Sequence, residues 1–172
     1  MSLEDYALNL ILVAVVIRQA RGKKLTAFGL LWPVGLVAWA AVEYLHAIPT
    51  AGNDLPLTLA GTLIGAVVGC ACGLLTRIHR LPDGSLVARA TSIAALLWVV
   101  GVGSRLRFGL YVQNGGGPAI ARFSAENHIA SAAAWTACMI LMSLTEVLGR
   151  TVLLATRGHQ LRQTQRTLVP AP

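Results

Sequence analysis

Residues Ala60 to Thr76 read A-G-T-L-I-G-A-V-V-G-C-A-C-G-L-L-T, an apolar run in which Gly61, Gly65, Gly69 and Gly73 recur every four residues. On a helix of about 3.6 residues per turn, that spacing keeps the four glycines on one slowly drifting face. In water each would weaken the helix by about 1 kcal/mol relative to alanine. In a bilayer the backbone must bond to itself, and missing side chains let a second helix approach closely. The stretch reads as the packing seam of a transmembrane helix. It suits either a homodimer or an internal contact, and the small-residue runs Thr91–Gly103 and Asn127–Leu148 favour the internal use.

The whole chain carries the same signal. Of 172 residues, 55% are hydrophobic and 12% charged, against about a quarter charged in soluble domains. One domain is expected at this length. The fold class predicted is all-α, a polytopic transmembrane helical bundle. Fourteen Lys and Arg against seven Asp and Glu give a net charge of +7. No base-reading motif or aromatic platform accompanies that charge, so nucleic acid is excluded as a partner. Cys70, Cys72 and Cys138 all lie in apolar runs and form no C-x-x-C, so they read as small apolar residues. A thiol redox role would require Cys70 or Cys72 to come close to Cys138.

Five apolar runs alternate with polar links. The first, residues 3–17, opens with Glu4 and Asp5, runs apolar from Tyr6 and is followed by Arg18; it is short for a span and leaves four spans if it lies at the interface. Arg18, Arg21, Lys23 and Lys24 precede the second, Leu25–Leu45, which Pro33 should bend. An outer loop, His46–Pro56, leads to the glycine helix, Leu57–Thr76. Leu81-Pro82-Asp83-Gly84 is a turn, with Ser85 placed to cap the fourth span from about Val87–Thr91. Asn114-Gly115-Gly116-Gly117-Pro118 reads as a flexible outer loop, and the fifth span covers Asn127–Leu148. Residues 1–150 form the bundle, and 151–172 a basic, frayed cytoplasmic tail. Eleven basic residues then fall on one side and three on the other, so the positive-inside rule puts the N-terminus out and the C-terminus in.

Several stretches resemble the CcdC-like family of small bacterial integral membrane proteins, in its actinobacterial form. They are G-T-L-I-G-A-V-V-G, T-R-I-H-R-L-P-D-G with R-A-T, A-A-L-L-W-V-V-G-V-G-S-R and M-S-L-T-E-V-L-G-R-T, together covering about Leu59–Arg150. The resemblance implies a multi-pass protein of the bacterial cell membrane. It maps shared positions to Gly61, Gly65, Gly69, Arg77, Asp83, Gly84, Arg89, Trp98 and Arg105, and brings no catalytic residue. Family name and gene neighbourhood imply an association with cytochrome c maturation, to which a chain without C-x-x-C adds no thiol relay.

No H-E-x-x-H, nucleophile elbow, P-loop or paired carboxylates mark an enzyme or a metal site. Glu43, His46, Arg105, Arg107, Glu126 and His128 are expected at the outer edge, with Arg105 about 24 Å above Arg89. There they would decorate span ends or form a polar vestibule for an anionic headgroup or a quinone, with Glu43 or Glu126 compensating Arg105. His46 and His128 at similar depth would suit a bis-histidine haem. Arg77, Arg80 and Arg89 face anionic lipid headgroups or simply set topology. Arg122 with Glu126, and Glu146 with Arg150, are candidate ion pairs. Two functional readings result. One is a non-enzymatic accessory or scaffolding subunit, packing through glycine and alanine seams with a membrane-protein partner. The other is a lipid-, quinone- or haem-binding membrane protein.

Overall fold

The computed structural model describes residues 23–24, 26–45, 49–82 and 85–168. The first apolar run, His46 and the Asp83-Gly84 turn lie outside them. Helices dominate. In chain order the elements are β1 (Lys23–Lys24), α1 (Ala27–Tyr44), α2 (Asp54–Leu74), β2 (Thr76–Arg80), β3 (Leu86–Ala90), α3 (Ser92–Tyr111), a π-helical turn (Val112–Gly116), α4 (Gly117–Glu126) and α5 (Ala132–Leu168). Three segments are long and apolar enough to cross a bilayer: Asp54–Leu74, Ser92–Glu126 across its kink, and Ala132–Gln163. This is a membrane protein.

The organising contact joins α2 to α5. Gly61 faces the Cys138 carbonyl and thiol, Gly65 the Met142 carbonyl, Gly69 the Glu146 carbonyl, and Gly73 the Leu153 side chain and Arg150 carbonyl. Both numbers rise together, so the two helices run parallel and advance four residues per contact. A Cβ built at Gly65 or Gly69 would run into the facing backbone, so only glycine permits this approach. Thr145 Oγ1 donates to the Thr62 carbonyl at 2.9 Å between them.

The opposite face of α2 is large and apolar. Leu63 is 65% exposed and Val67 68%, while Gly61, Gly65, Gly69 and Cys72 are buried. Small residues inside and bulky ones outside invert the pattern of a soluble helix, as expected where lipid is the solvent. Thr58, Thr62 and Thr76 donate their hydroxyls to carbonyls one turn back, at 2.7–2.8 Å, which satisfies these side chains within their own backbone.

An all-α reading is corrected at the base of the bundle. β1, β3 and β2 form a three-stranded antiparallel sheet with β3 in the centre. Thr76-Arg77-Ile78-His79-Arg80 alternates about a turn closed by Leu81 N–H on the Ser85 carbonyl at 2.9 Å, the pattern of a hairpin rather than of a helix end. Accordingly Ser85 leads into β3 and not into a helix; Thr91 Oγ1 accepts from Ala94 N–H at 3.2 Å and starts α3 at Ser92. Leu86 and Leu154 bury the sheet's inner face beside Gly158.

The outer end also differs from expectation. Residues 112–118 are a tight kink rather than a loop: Gly115 takes φ 94°, and Gly116 packs on the Tyr111 ring. The last helix starts at Ala132 and continues through Leu168 for 37 residues. At about 1.5 Å per residue it is about 55 Å long, so residues 151–168 continue the helix where a frayed tail was expected, with Leu154, Arg157 and Gly158 packed on the rest of the bundle. α1 lies against α5, and α3 against α2.

Replacing Gly65 or Gly69 with Ala should destabilise the bundle by about 1–3 kcal/mol through overpacking. Gly35→Ala, where an added Cβ meets nothing within 4 Å, should leave it unchanged or slightly firmer. Thermal unfolding in mild detergent measures both; equal behaviour of the three variants would contradict the seam.

Candidate functional site

Glu146 interrupts the apolar run M-I-L-M-S-L-T-E-V-L-G. An ionised side chain there must find a partner inside the bundle. That partner is Arg105: Nη2 lies 2.7 Å from Glu146 Oε2, with side chains 15% and 5% exposed. Two features of α3 make the contact. Helical side chains lean toward the N-terminus, so Arg105 reaches back along α3. Gly101, one turn earlier on that face, is buried and supplies the room: a Cβ there would stand 3.3 Å from Oε1 and 3.4 Å from Oε2.

The pair is deep. Glu146 lies fifteen residues after Ser131 and eleven before Arg157, about 22 Å and 16 Å along α5. The placement of Arg105 at the outer boundary, compensated by Glu43 or Glu126, is therefore corrected. α3 begins later than expected, the chain continues outward past Tyr111 as far as Glu126, and the guanidinium points back toward the sheet. Arg150 and Cys72 lie within electrostatic range of Glu146, but the carboxylate's close partner is Arg105.

The contact is charge–charge rather than an aligned hydrogen bond. Arg105 Nη1 and both Glu146 carboxylate oxygens are buried and have no hydrogen-bond partner among the described residues. In a low dielectric such unmatched capacity is costly.

Two further polar junctions close the ends of the α2–α5 seam. Asp54, fully buried, accepts from Ala130 N–H at 2.7 Å and from Ser131 Oγ at 2.8 Å. Ser131 Oγ in turn accepts from Ala134 N–H at 3.2 Å. At the other end Arg157 Nη1 donates to the carbonyls of Gly73, Leu74 and Thr76 at 2.7, 3.1 and 2.9 Å, which satisfies the end of α2. Phe108 stacks on Trp135 at 5.2 Å, and Trp135 Nε1 donates to Ser124 Oγ at 3.1 Å, joining α3, α4 and α5 at the outer end.

The remaining predicted site residues do not assemble into a vestibule. Glu43, Arg107, Glu126 and His128 are all exposed, and no hydrogen bond or ion pair joins their side chains among the described residues. His128 contributes backbone: at φ 54° its carbonyl accepts from Asn53 N–H at 2.9 Å. Arg122 and Glu126 are exposed and form no ion pair with each other among the described residues. Cys138 sits by Gly61, about 14 Å of helix from Cys70 and about 16 Å from Cys72, and all three cysteines are free thiols, so neither Cys70 nor Cys72 comes close to Cys138. Among the described residues no three His, Cys, Asp or Glu side chains gather to hold a metal. An open apolar groove of about 330 Å³ runs along α1 between Phe28 and Trp39 and has no titratable lining.

Arg77 and Arg89 are direct cross-strand partners, both exposed, whereas Arg80, opposite Leu86, belongs to the other face of the sheet. The register also pairs Lys24 with Val87 and sets Arg77, His79 and Arg89 on one face of the sheet.

Comparison with known proteins finds no matching family model, no matching curated protein and no matching solved structure.

Reasoning from the sequence missed the Arg105–Glu146 pair, although the signal was present. A lone acid in the fifth apolar run and G-x-x-x-R in the fourth are complementary. Arg105→Ala or Glu146→Ala should each cost about 3–5 kcal/mol, because either leaves a buried charge alone. The double variant Arg105→Met with Glu146→Met should recover most of that loss, and Arg107→Ala should change little. Unfolding in detergent reads all four; additive single and double effects would deny the pairing.

Proposed function

We propose that the chain is a five-span protein of the bacterial plasma membrane, with the N-terminus outside and a non-enzymatic, accessory or scaffolding role. The observation that carries this is the α2–α5 seam, tied at Asp54, along the glycines and at Arg157. Such a seam is spent within the protomer, so it builds a stiff bundle. A stiff bundle with bulky apolar outer faces is suited to sit beside another membrane protein. The resemblance to the CcdC-like family is consistent with that role. Arg77, Arg80 and Arg89 would lie at the cytoplasmic leaflet, against anionic lipids.

A second reading, a membrane protein that binds a small lipid-soluble ligand, is favoured by one observation. The buried Arg105 Nη1 and Glu146 Oε1 lack hydrogen-bond partners. In this reading the site is the mid-bundle pair and not the outer edge. Native mass spectrometry of the solubilised full chain separates the two. A stoichiometric membrane-protein partner supports the first, and a retained small molecule supports the second.

The orientation has its own test. With a membrane-impermeant maleimide, Asn114→Cys should label in intact cells, and His79→Cys only after permeabilisation. Both positions are exposed at opposite ends of the bundle. The reverse pattern would overturn the topology.

A further inference from the structure

The sheet at the base of the bundle has two unlike faces. Alternation along β2 and β3 puts Thr76, Ile78, Leu86 and Ala88 on the inner one, where Thr76 and Leu86 are buried. The outer one carries Arg77, His79, Val87 and Arg89, and the register sets Arg77 directly opposite Arg89. Both arginines are exposed. Residues so opposed stand about 4.5–5.5 Å apart at Cβ, and like charges there repel. The next pair on that face, His79 with Val87, brings no acid. Residues 76–90 hold three arginines and a single acid, Asp83, six residues from either member of the pair.

The height of the pair says what can lie against it. Arg77 follows the last residue of α2, Leu74, by three, and Arg89 precedes the first residue of α3, Ser92, by three. At about 3.3 Å per strand residue, both stand within about 10 Å of the end of a spanning segment. The polar headgroup layer is about 5–8 Å deep on each side of a bilayer, so the guanidiniums reach its phosphates. Arg157 does not compete for that role, because its Nη1 is committed to the carbonyls of Gly73, Leu74 and Thr76. Its charge nevertheless adds to the positive field behind β2.

We propose that Arg77 and Arg89 form a two-pronged site for one phosphate group of an anionic glycerophospholipid. The inference rests on the reading that this sheet lies against anionic lipid at the cytoplasmic leaflet, and it narrows a basic patch to two residues and one headgroup. A phosphate has enough oxygens to accept from two planar guanidinium forks at once, and its charge offsets the repulsion between them. A zwitterionic headgroup would bring its own cation against the same pair, so the site favours a lipid of net negative charge. Arg80, opposite Leu86 and of the other parity, takes no part.

The experiment uses the full chain in mild detergent, with phosphatidylglycerol and phosphatidylcholine as probes and native mass spectrometry to count bound lipid. The parent should retain one phosphatidylglycerol at least ten-fold more tightly than phosphatidylcholine. Arg77→Gln and Arg89→Gln should each weaken that binding at least five-fold, and Arg77→Lys with Arg89→Lys, which keeps the charge but loses the forks, at least three-fold. Arg80→Gln makes the same change of net charge on the other face and should bind within two-fold of the parent. If Arg80→Gln weakens binding as much as the other two, the lipid-facing reading stands and this site falls. If the parent shows no preference between the lipids, both fall. Displacement of the lipid by an equal concentration of soluble glycerol 3-phosphate would overturn the lipid assignment. In phosphatidylcholine, both Gln variants should unfold no earlier than the parent, since each relieves a like-charge contact. Earlier unfolding of both would make the arginines structural and sink the proposal.

Discussion

Everything in this bundle depends on how closely two parallel backbones can approach. α2 and α5 advance together, Gly61 on Cys138, Gly65 on Met142, Gly69 on Glu146, and side chains on α2 would hold them apart. Within lipid there is little hydrophobic gain from bringing helices together, so van der Waals contact and short polar bridges must do it. Glycine makes both available. It exposes carbonyls and thereby lets Thr145 reach the Thr62 carbonyl. The contact also fixes the height of Glu146, whose backbone is pinned against Gly69, and so the height at which α3 must present Arg105.

Parallel packing has an electrostatic consequence. Two helix N-termini lie side by side at one end and their partial positive charges add; the C-terminal end of α2 carries the opposite problem. Asp54 answers the first. It is the first residue of α2 and accepts from the residues that lead into α5, so one carboxylate serves two helix starts. Arg157 answers the second, with one guanidinium nitrogen on three carbonyls where α2 gives way to β2. Both side chains belong to the same helix pair and differ only in which helix supplies them.

The membrane character and the internal use of the glycines were legible because each follows from composition and a single period. Inside an apolar run, Gly61 to Gly73 at four-residue spacing make a packing face and little else. The sheet was less legible: T-R-I-H-R and L-V-A-R-A are five residues each, too short for periodicity to outweigh their position between two long spans. The extent of the last helix was hidden by its polar residues after Arg150, which composition alone assigns to a tail. Arg105 was misplaced for a different reason. Counting rise per residue locates a Cα, but the guanidinium lies well below its own Cα, and the missing Cβ at Gly101 decides where it can go. Partners on separate helices, Arg105 with Glu146 or Asp54 with Ser131, are separated by tens of residues and leave no local trace.

The Arg105–Glu146 pair carries little of the stability that the seam already provides. Desolvating two charges offsets much of their attraction, and an apolar pair of similar volume would serve packing as well or better. What an apolar pair cannot do is tie α3 to one rotation and one depth on α5. With Phe108 on Trp135 above it and Cys72 Sγ near the Ala94 carbonyl below, α3 is fixed at three heights, and only the middle contact is charged. That contact is also the one with hydrogen-bonding capacity left over. Contacts needed only for packing would be expected to leave none. The glycine seam thus has a second effect besides closeness: by pinning the backbone of Glu146 against Gly69, it sets the carboxylate against Gly101 and Arg105, where buried polar atoms of both side chains keep hydrogen-bonding capacity that the described residues do not use.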